Sequence, residues 1–258
     1  MGRGRADRRH RPDACALALP GRPPAVRSGR RRPAISGMVL PGTQGRGHPH
    51  PGVLGEPARG RFAPAGFGAR LEDSGKRAAG NGSVMCCAPI GLLHVRSLEG
   101  LADDAAGASR ITHHDPRCVG GCVAVATAIA LLVRGGRDAE EAIPRAAESA
   151  GAVSDEARAA VERGASRRPP DIAVDGDDQG YVLRTVEIAF SALATAPTFE
   201  EGLMSVVSRG GDTDTNGAVA GALLGAKHGK SRIPDRWLKP LKAAAELASL
   251  GEQLHGQL

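Results

Sequence analysis

Beyond about Leu71, apolar side chains recur every three to four positions, the period of a helix with one buried face, and no segment alternates as a half-buried strand would. The clearest helix opens at Asp115-Pro116, an acid placed to accept a backbone N–H and then a proline whose missing N–H costs nothing at a first helical position. Cys118, Val119, Cys122, Val125, Ala126, Ile129 and Leu132 carry it to a stop at Gly135-Gly136. Almost all of its surface is apolar, which predicts a place in the middle of the domain. Further helices are predicted at about 138–149, interrupted or kinked near Pro144, at about 154–163, and from about Tyr181 to Ala194. Thr198-Phe199-Glu200-Glu201 reads as a capping box opening a helix that ends at Gly210-Gly211. Two last helices are predicted at about 216–228 and, after Pro234, at about 235–254; Arg167 to Gln179, with Pro169-Pro170 and Asp175-Gly176, reads as a loop. The fold class is therefore all-α, with no repeat of fixed period.

Residues 1–70 break this pattern. They hold 14 Arg, no Lys, 3 acids and 23 Gly plus Pro, and they show neither a helical nor a strand period. Such a segment buries too little surface to offset the entropy of ordering it, so it reads as disordered and separate from a domain at 71–258. Three readings of it stay open: a basic arm for nucleic acid, a solvated tail, or the product of a GC-rich gene read out of frame. The last two are preferred, since the net charge of +6 resides in this segment and the remaining residues are net acidic. Nucleic acid is thus not the expected partner.

Only 2% of residues are aromatic, which predicts a core of small side chains packed closely. The five cysteines (Cys15, Cys86, Cys87, Cys118, Cys122) are odd in number and match no secreted framework and, with His113 and His114, no zinc spacing; buried thiols in a reducing compartment are expected. No run of about 18 apolar residues and no signal-peptide core stands out, so neither a membrane span nor export is expected, and a cytoplasmic location follows.

The chemistry concentrates at Gly210-Gly211-Asp212-Thr213-Asp214-Thr215-Asn216-Gly217. Two carboxylates two residues apart, with a hydroxyl beside them, can converge on one point in a tight turn. They are hard oxygen ligands that suit Mg²⁺ or Mn²⁺. The glycine pair permits backbone that other residues resist, and Gly217, Gly221 and Gly225 form a stripe that lets another helix come close. The plainer alternative is that Asp212 or Asp214 merely caps a helix, although a cap needs neither the second acid nor the glycine lead.

This string, continued through Ala218-Val219-Ala220-Gly221-Ala222-Leu223-Leu224-Gly225-Ala226, resembles the C-terminal signature of the ADP-ribosylglycohydrolase family. Ala79-Gly80-Asn81-Gly82-Ser83-Val84-Met85 is similar to the family's Gly-Asn-Gly loop, Thr112-His113 with Asp115-Pro116 to its Thr-His segment, and Gly180-Tyr181-Val182 with Thr185 to the helix before the metal turn. Pro234 and Trp237-Leu238 are similar to its closing segment; the likeness covers about 71–245. The resemblance implies an all-α hydrolase with two Mg²⁺ (or Mn²⁺) ions that frees ADP-ribose from a modified protein side chain, so an ADP-ribosylated protein or a small molecule containing ADP-ribose is the implied partner. It makes Asp212, Asp214 and Thr215 metal ligands and places Asn81, Gly82, Ser83 and Met85 along the ADP-ribose cleft, with His113 facing the ribose. Tyr181 either contacts the ligand or packs in the core.

Two departures accompany the match. The family's other half-site, an N-terminal Thr-Asp-Asp with an acid upstream, has no counterpart in 1–70, which leaves an inactive ADP-ribose-binding remnant or a truncated chain as the alternatives and the catalytic acid unassigned. Asp103-Asp104 and Asp177-Asp178 lie in the wrong order to replace it and read as solvated loop acids, and Cys86 stands where the family usually has Arg.

Overall fold

The computed structural model describes residues 79–174, 176 and 179–256. The expectations for 1–70, Cys15 and Asp177-Asp178 lie outside the described residues. Within them are ten helices: α1 Ala88–Leu93, α2 Leu101–Arg110, α3 Pro116–Arg134, α4 Ala139–Gly151, α5 Asp155–Ala165, α6 Val182–Thr195, α7 Phe199–Val207, α8 Thr213–His228, α9 Asp235–Leu238 and α10 Ala244–Gly256. No strand accompanies them among the described residues, only an isolated antiparallel bridge between Gly80 and Tyr181.

The arrangement follows from α3. Fourteen of its residues are buried, and α1, α2, α4, α5, α6 and α8 all touch it. Its length and hydropathy would suffice to cross a membrane, but its apolar surface is covered by these neighbours, the position of a core helix. It starts as its sequence indicates: the Asp115 side chain accepts from the Arg117 N–H at 2.9 Å. The packing around it is of small side chains, with Ala124, Ala126, Ala128, Ala130, Ala146, Ala150, Ala157 and Ala160 all inaccessible to solvent, as the low aromatic content implies.

Three local expectations change. Helix α4 runs unbroken through Pro144, because only one hydrogen bond is forfeited there while Ala142, Ala146, Ala147 and Ala150 stay buried on its inner face. The predicted last helix is two, α9 and α10, parted at Lys239-Pro240, where the proline cannot continue the first. Asp103 and Asp104 lie not in a loop but in the first turn of α2, where acids complement the helix dipole, and Asp104 pairs with His94 Nε2 at 2.9 Å.

The glycine stripe on α8 is also less used than its spacing suggests. A Cβ at Gly217 would meet Val207 at 3.2 Å, one at Gly221 would make ordinary contact with Leu203, and one at Gly225 would meet nothing within 4 Å among the described residues.

Caps fix the entries of several helices. Thr198 Oγ1 accepts from the Glu201 N–H at 3.1 Å, with Glu201 Oε1 answering the hydroxyl at 3.2 Å, so the capping box closes through the side chains; α7 then ends at Val207, before the glycine pair. Ser154, buried ahead of α5, accepts from the Ala157 N–H at 3.2 Å and donates to Glu156 Oε2 at 2.9 Å. Ser154→Ala is expected to lower stability by about 1 kcal/mol, read by chemical denaturation.

Candidate functional site

The turn into α8 is set by two consecutive glycines in the left-handed region, Gly210 at φ 78° and Gly211 at φ 66°. They swing the chain so that Asp212 occupies the N-cap position of α8, yet its side chain caps nothing there. Instead its Oδ2 accepts from Asn81 Nδ2 at 2.6 Å, across 131 residues of sequence. The plain capping reading of Asp212 is thereby replaced.

Asp214, exposed in the first turn of α8, has its carboxyl held below the usual carboxylate range by contact with Asp212, then by the Thr215 and Asp214 N–H groups. Thr215 is buried, and its hydroxyl lies 3.7 Å from Met85 Sδ. Two carboxyl groups in contact repel once both are ionised, unless a proton or a cation sits between them. With the Thr215 hydroxyl they make a hard-oxygen donor set that fits Mg²⁺ or Mn²⁺. Three such ligands are about half of what either ion takes. Among the described residues no cluster of three or more His, Cys, Asp or Glu completes the set.

The Gly-Asn-Gly loop lies against this turn. The Asn81 N–H donates to the Gly180 carbonyl and the Val182 N–H to the Ala79 carbonyl, each at 3.0 Å, pinning the loop to the start of α6. The second Nδ2 proton of Asn81 goes to Thr185 Oγ1 at 2.9 Å, and Thr185 Oγ1 donates to Asn216 Oδ1 at 2.8 Å. Asn81, Asp212, Thr215 and Met85 thus converge.

Ser83 does not face outward with them. It is buried, and its hydroxyl accepts from Ser109 Oγ at 3.0 Å and Cys122 Sγ at 3.4 Å. Met85 is 45% exposed over the turn. Cys87, Cys118 and Cys122 are buried thiols, as their spacing suggested, with Cys118 Sγ donating to the Gly80 carbonyl at 3.2 Å; Cys86 is exposed.

His113 covers the other side of the loop. A Cβ at Gly82 would lie 2.8 Å from His113 Cε1, so a larger residue there would push the ring aside. Its Nδ1 pairs with Thr112 Oγ1 at 2.8 Å, and burial pushes its pKa below the usual 6.5. The unfolded chain takes up this proton first, so the stability His113 confers is present above about pH 6.5 and is lost as pH falls through the lower folded-state value. An NMR ring titration of His113 is expected to have its midpoint below that of a free histidine, and His113→Gln to flatten the fall in stability below about pH 6.5.

Tyr181 is half-buried just ahead of α6 and packs against the core. Arg117 Nη1 donates to its hydroxyl at 3.3 Å, the guanidinium stands 5.7 Å from the ring centroid, and Asp115 holds that guanidinium through two oxygens. Thr185 and Asn216 lie within the motifs the sequence displays and Ser109 and Arg117 outside them, but the sequence assigns none of the four a role at the site; polarity on a buried helical face marks Thr185 within the apolar α6 and Asn216 within α8.

Known proteins resemble this chain over much of its length. The ADP-ribosylglycohydrolase family model matches residues 34–258. An uncharacterised protein of Archaeoglobus fulgidus is 35% identical over 178 residues, covering 67% of this chain and 57% of its own. The ADP-ribosyl-[dinitrogen reductase] glycohydrolase of Rhodospirillum rubrum is 30% identical over 168 residues, 65% of this chain and 52% of that one. A solved structure titled ADP-ribosylglycohydrolase-related protein complex superposes with a TM-score of 0.59 at 29% identity, over 72% of this chain and 65% of that one. The chain therefore spans about half the length of the curated relatives it matches.

Proposed function

Because this chain belongs to the ADP-ribosylglycohydrolase family, we propose that it is a divalent-metal-dependent hydrolase that releases ADP-ribose from a modified protein side chain. The observation that carries this reading is the seating of Asp212: a helix-entry acid that caps nothing, touches Asp214, and is fixed by an asparagine from the loop that would take the nucleotide.

Asp212, Asp214 and Thr215 would hold the ion through carboxylate and hydroxyl oxygen. When bound, it supplies a template for the ribose hydroxyls and Lewis-acid polarisation of a water. The chain's own residues do the positioning. Asn81 fixes the rotation of the Asp212 carboxylate, and the left-handed Gly210-Gly211 pair sets where α8 begins. His113, kept neutral near pH 7 by burial, has its Nδ1 engaged by Thr112 and presents the remaining ring nitrogen along the Gly80–Gly82 loop, where it can bond a ribose hydroxyl. Met85, exposed beside Thr215, forms an apolar edge of the cleft. The relative acting on dinitrogen reductase supports a protein substrate.

The deciding experiment incubates the full chain with arginine- or serine-linked ADP-ribosylated protein and follows release of ADP-ribose with Mg²⁺, with Mn²⁺ and with chelator. Release that needs the metal is the expected result. Absence of turnover by folded, metal-loaded protein refutes the hydrolase reading. In that event, ADP-ribose binding by calorimetry identifies a binding protein, and absence of binding removes the cleft assignment as well.

A further inference from the structure

Asn81, Thr185 and Asn216 form a directional hydrogen-bond relay whose outer end is the Asp212 carboxylate. Its directions follow from proton bookkeeping. Asn81 turns its NH₂ toward Asp212 and donates to Oδ2 at 2.6 Å. The other proton of that NH₂ goes to Thr185 Oγ1 at 2.9 Å, and the threonine hydroxyl, already accepting, donates its proton to Asn216 Oδ1 at 2.8 Å. The residues are 8%, 1% and 3% exposed, so water cannot readily replace a lost member.

The relay also has a mechanical consequence. Thr185 lies on α6, Asn216 on α8 four residues after Asp212, and Asn81 on the loop. One hydroxyl therefore joins the three elements that meet at the metal turn, and the rotation of the Asp212 carboxylate is set from inside the domain.

We infer that Thr185 and Asn216 are positioning residues: through Asn81 they hold Asp212 ready to bind a divalent cation, although neither touches the cation. This rests on the metal-turn reading proposed above. Partners one step behind metal ligands are typically worth about 10- to 100-fold in metal affinity.

The test is Mn²⁺ binding to the full chain, followed by electron paramagnetic resonance and by calorimetry, with the Tm of the metal-free protein measured in parallel. Thr185→Val keeps the side-chain shape but removes both hydrogen bonds, and it is expected to weaken Mn²⁺ binding about 10-fold or more at temperatures where the variant is fully folded. Thr185→Ser, which restores the hydroxyl, is expected to return the affinity to within about threefold. Should Thr185→Val fail to fold, Asn216→Ser, which withdraws the terminal acceptor, carries the same expectation. Unchanged Mn²⁺ affinity in a folded variant overturns the relay while leaving the metal turn intact. Absence of Mn²⁺ binding by the unaltered chain overturns the metal turn and the relay together, and a Tm loss with no loss of affinity assigns these residues to stability alone.

Discussion

Asp212→Asn should leave the protein folded while removing metal-dependent release of ADP-ribose by about 10³-fold or more, the effect of losing roughly 4 kcal/mol of metal-centred stabilisation. The substitution separates charge from shape. The amide keeps an oxygen that can accept from Asn81 Nδ2, so the contact now measured at 2.6 Å survives with an uncharged acceptor. The amide NH₂ can supply the hydrogen bond to Asp214 that Asp212 makes, so the metal-free protein should keep its Tm within about 2 °C, the scale of a change within about 0.5 kcal/mol. Mn²⁺ affinity by calorimetry and turnover on ADP-ribosylated protein are the readouts. An Asp212→Asn protein that binds Mn²⁺ and turns over normally would sink the assignment of this carboxylate.

The second large effect is structural and is expected at Gly164→Ala. Helices α5 and α6 approach so closely there that a Cβ would lie 2.3 Å from the Glu187 carbonyl oxygen, 3.1 Å from its carbonyl carbon and 3.2 Å from its Cα. All three are backbone atoms, so no side chain can rotate aside and the helices must part. Parting them also disturbs Glu187, a fully buried carboxylate that Arg184 at 2.9 Å, Arg167 at 3.3 Å and Arg163 at 3.6 Å neutralise. The expected cost is about 3 kcal/mol, or a Tm lower by about 6–12 °C. Gly107→Ala is the control: a Cβ there meets nothing within 4 Å among the described residues, and the helix gains the better helix former. Equal Tm values for the two variants would contradict the close approach. Thr185 is also on α6, two residues before Glu187, so the same change should loosen the metal turn.

What was legible in the chain was what neighbouring residues encode. Helix α3 could be read because its cap, its first-turn proline and its stop are local, and a helix apolar on every side has only the interior to occupy. The turn proposed to hold metal could be read because eight consecutive residues carry two acids, threonine hydroxyls and the glycines that bend the backbone; Gly210 and Gly211 do take the left-handed conformation. Pro240 divides the stretch 235–254 into two helices, because its ring and missing N–H stop the first of them.

Partners distant in sequence could not be read. The stripe of Gly217, Gly221 and Gly225 shows a small helical face but not what lies opposite, and the tightest approach proved to be at Gly164 on α5. Ser83, placed along the cleft by resemblance, turns inward to Ser109 and Cys122.

The sequence by itself determined the helical class, the central helix, the family and the three neighbouring oxygen groups proposed to hold a metal, since each depends on residues within a few turns of one another. Only the tertiary structure decided that the Asp212 carboxylate leaves its helix end uncapped and is steadied by Asn81, Thr185 and Asn216. Helical periodicity records which side chains are buried. Which polar groups meet across 131 residues is decided by how α6, α8 and the loop pack.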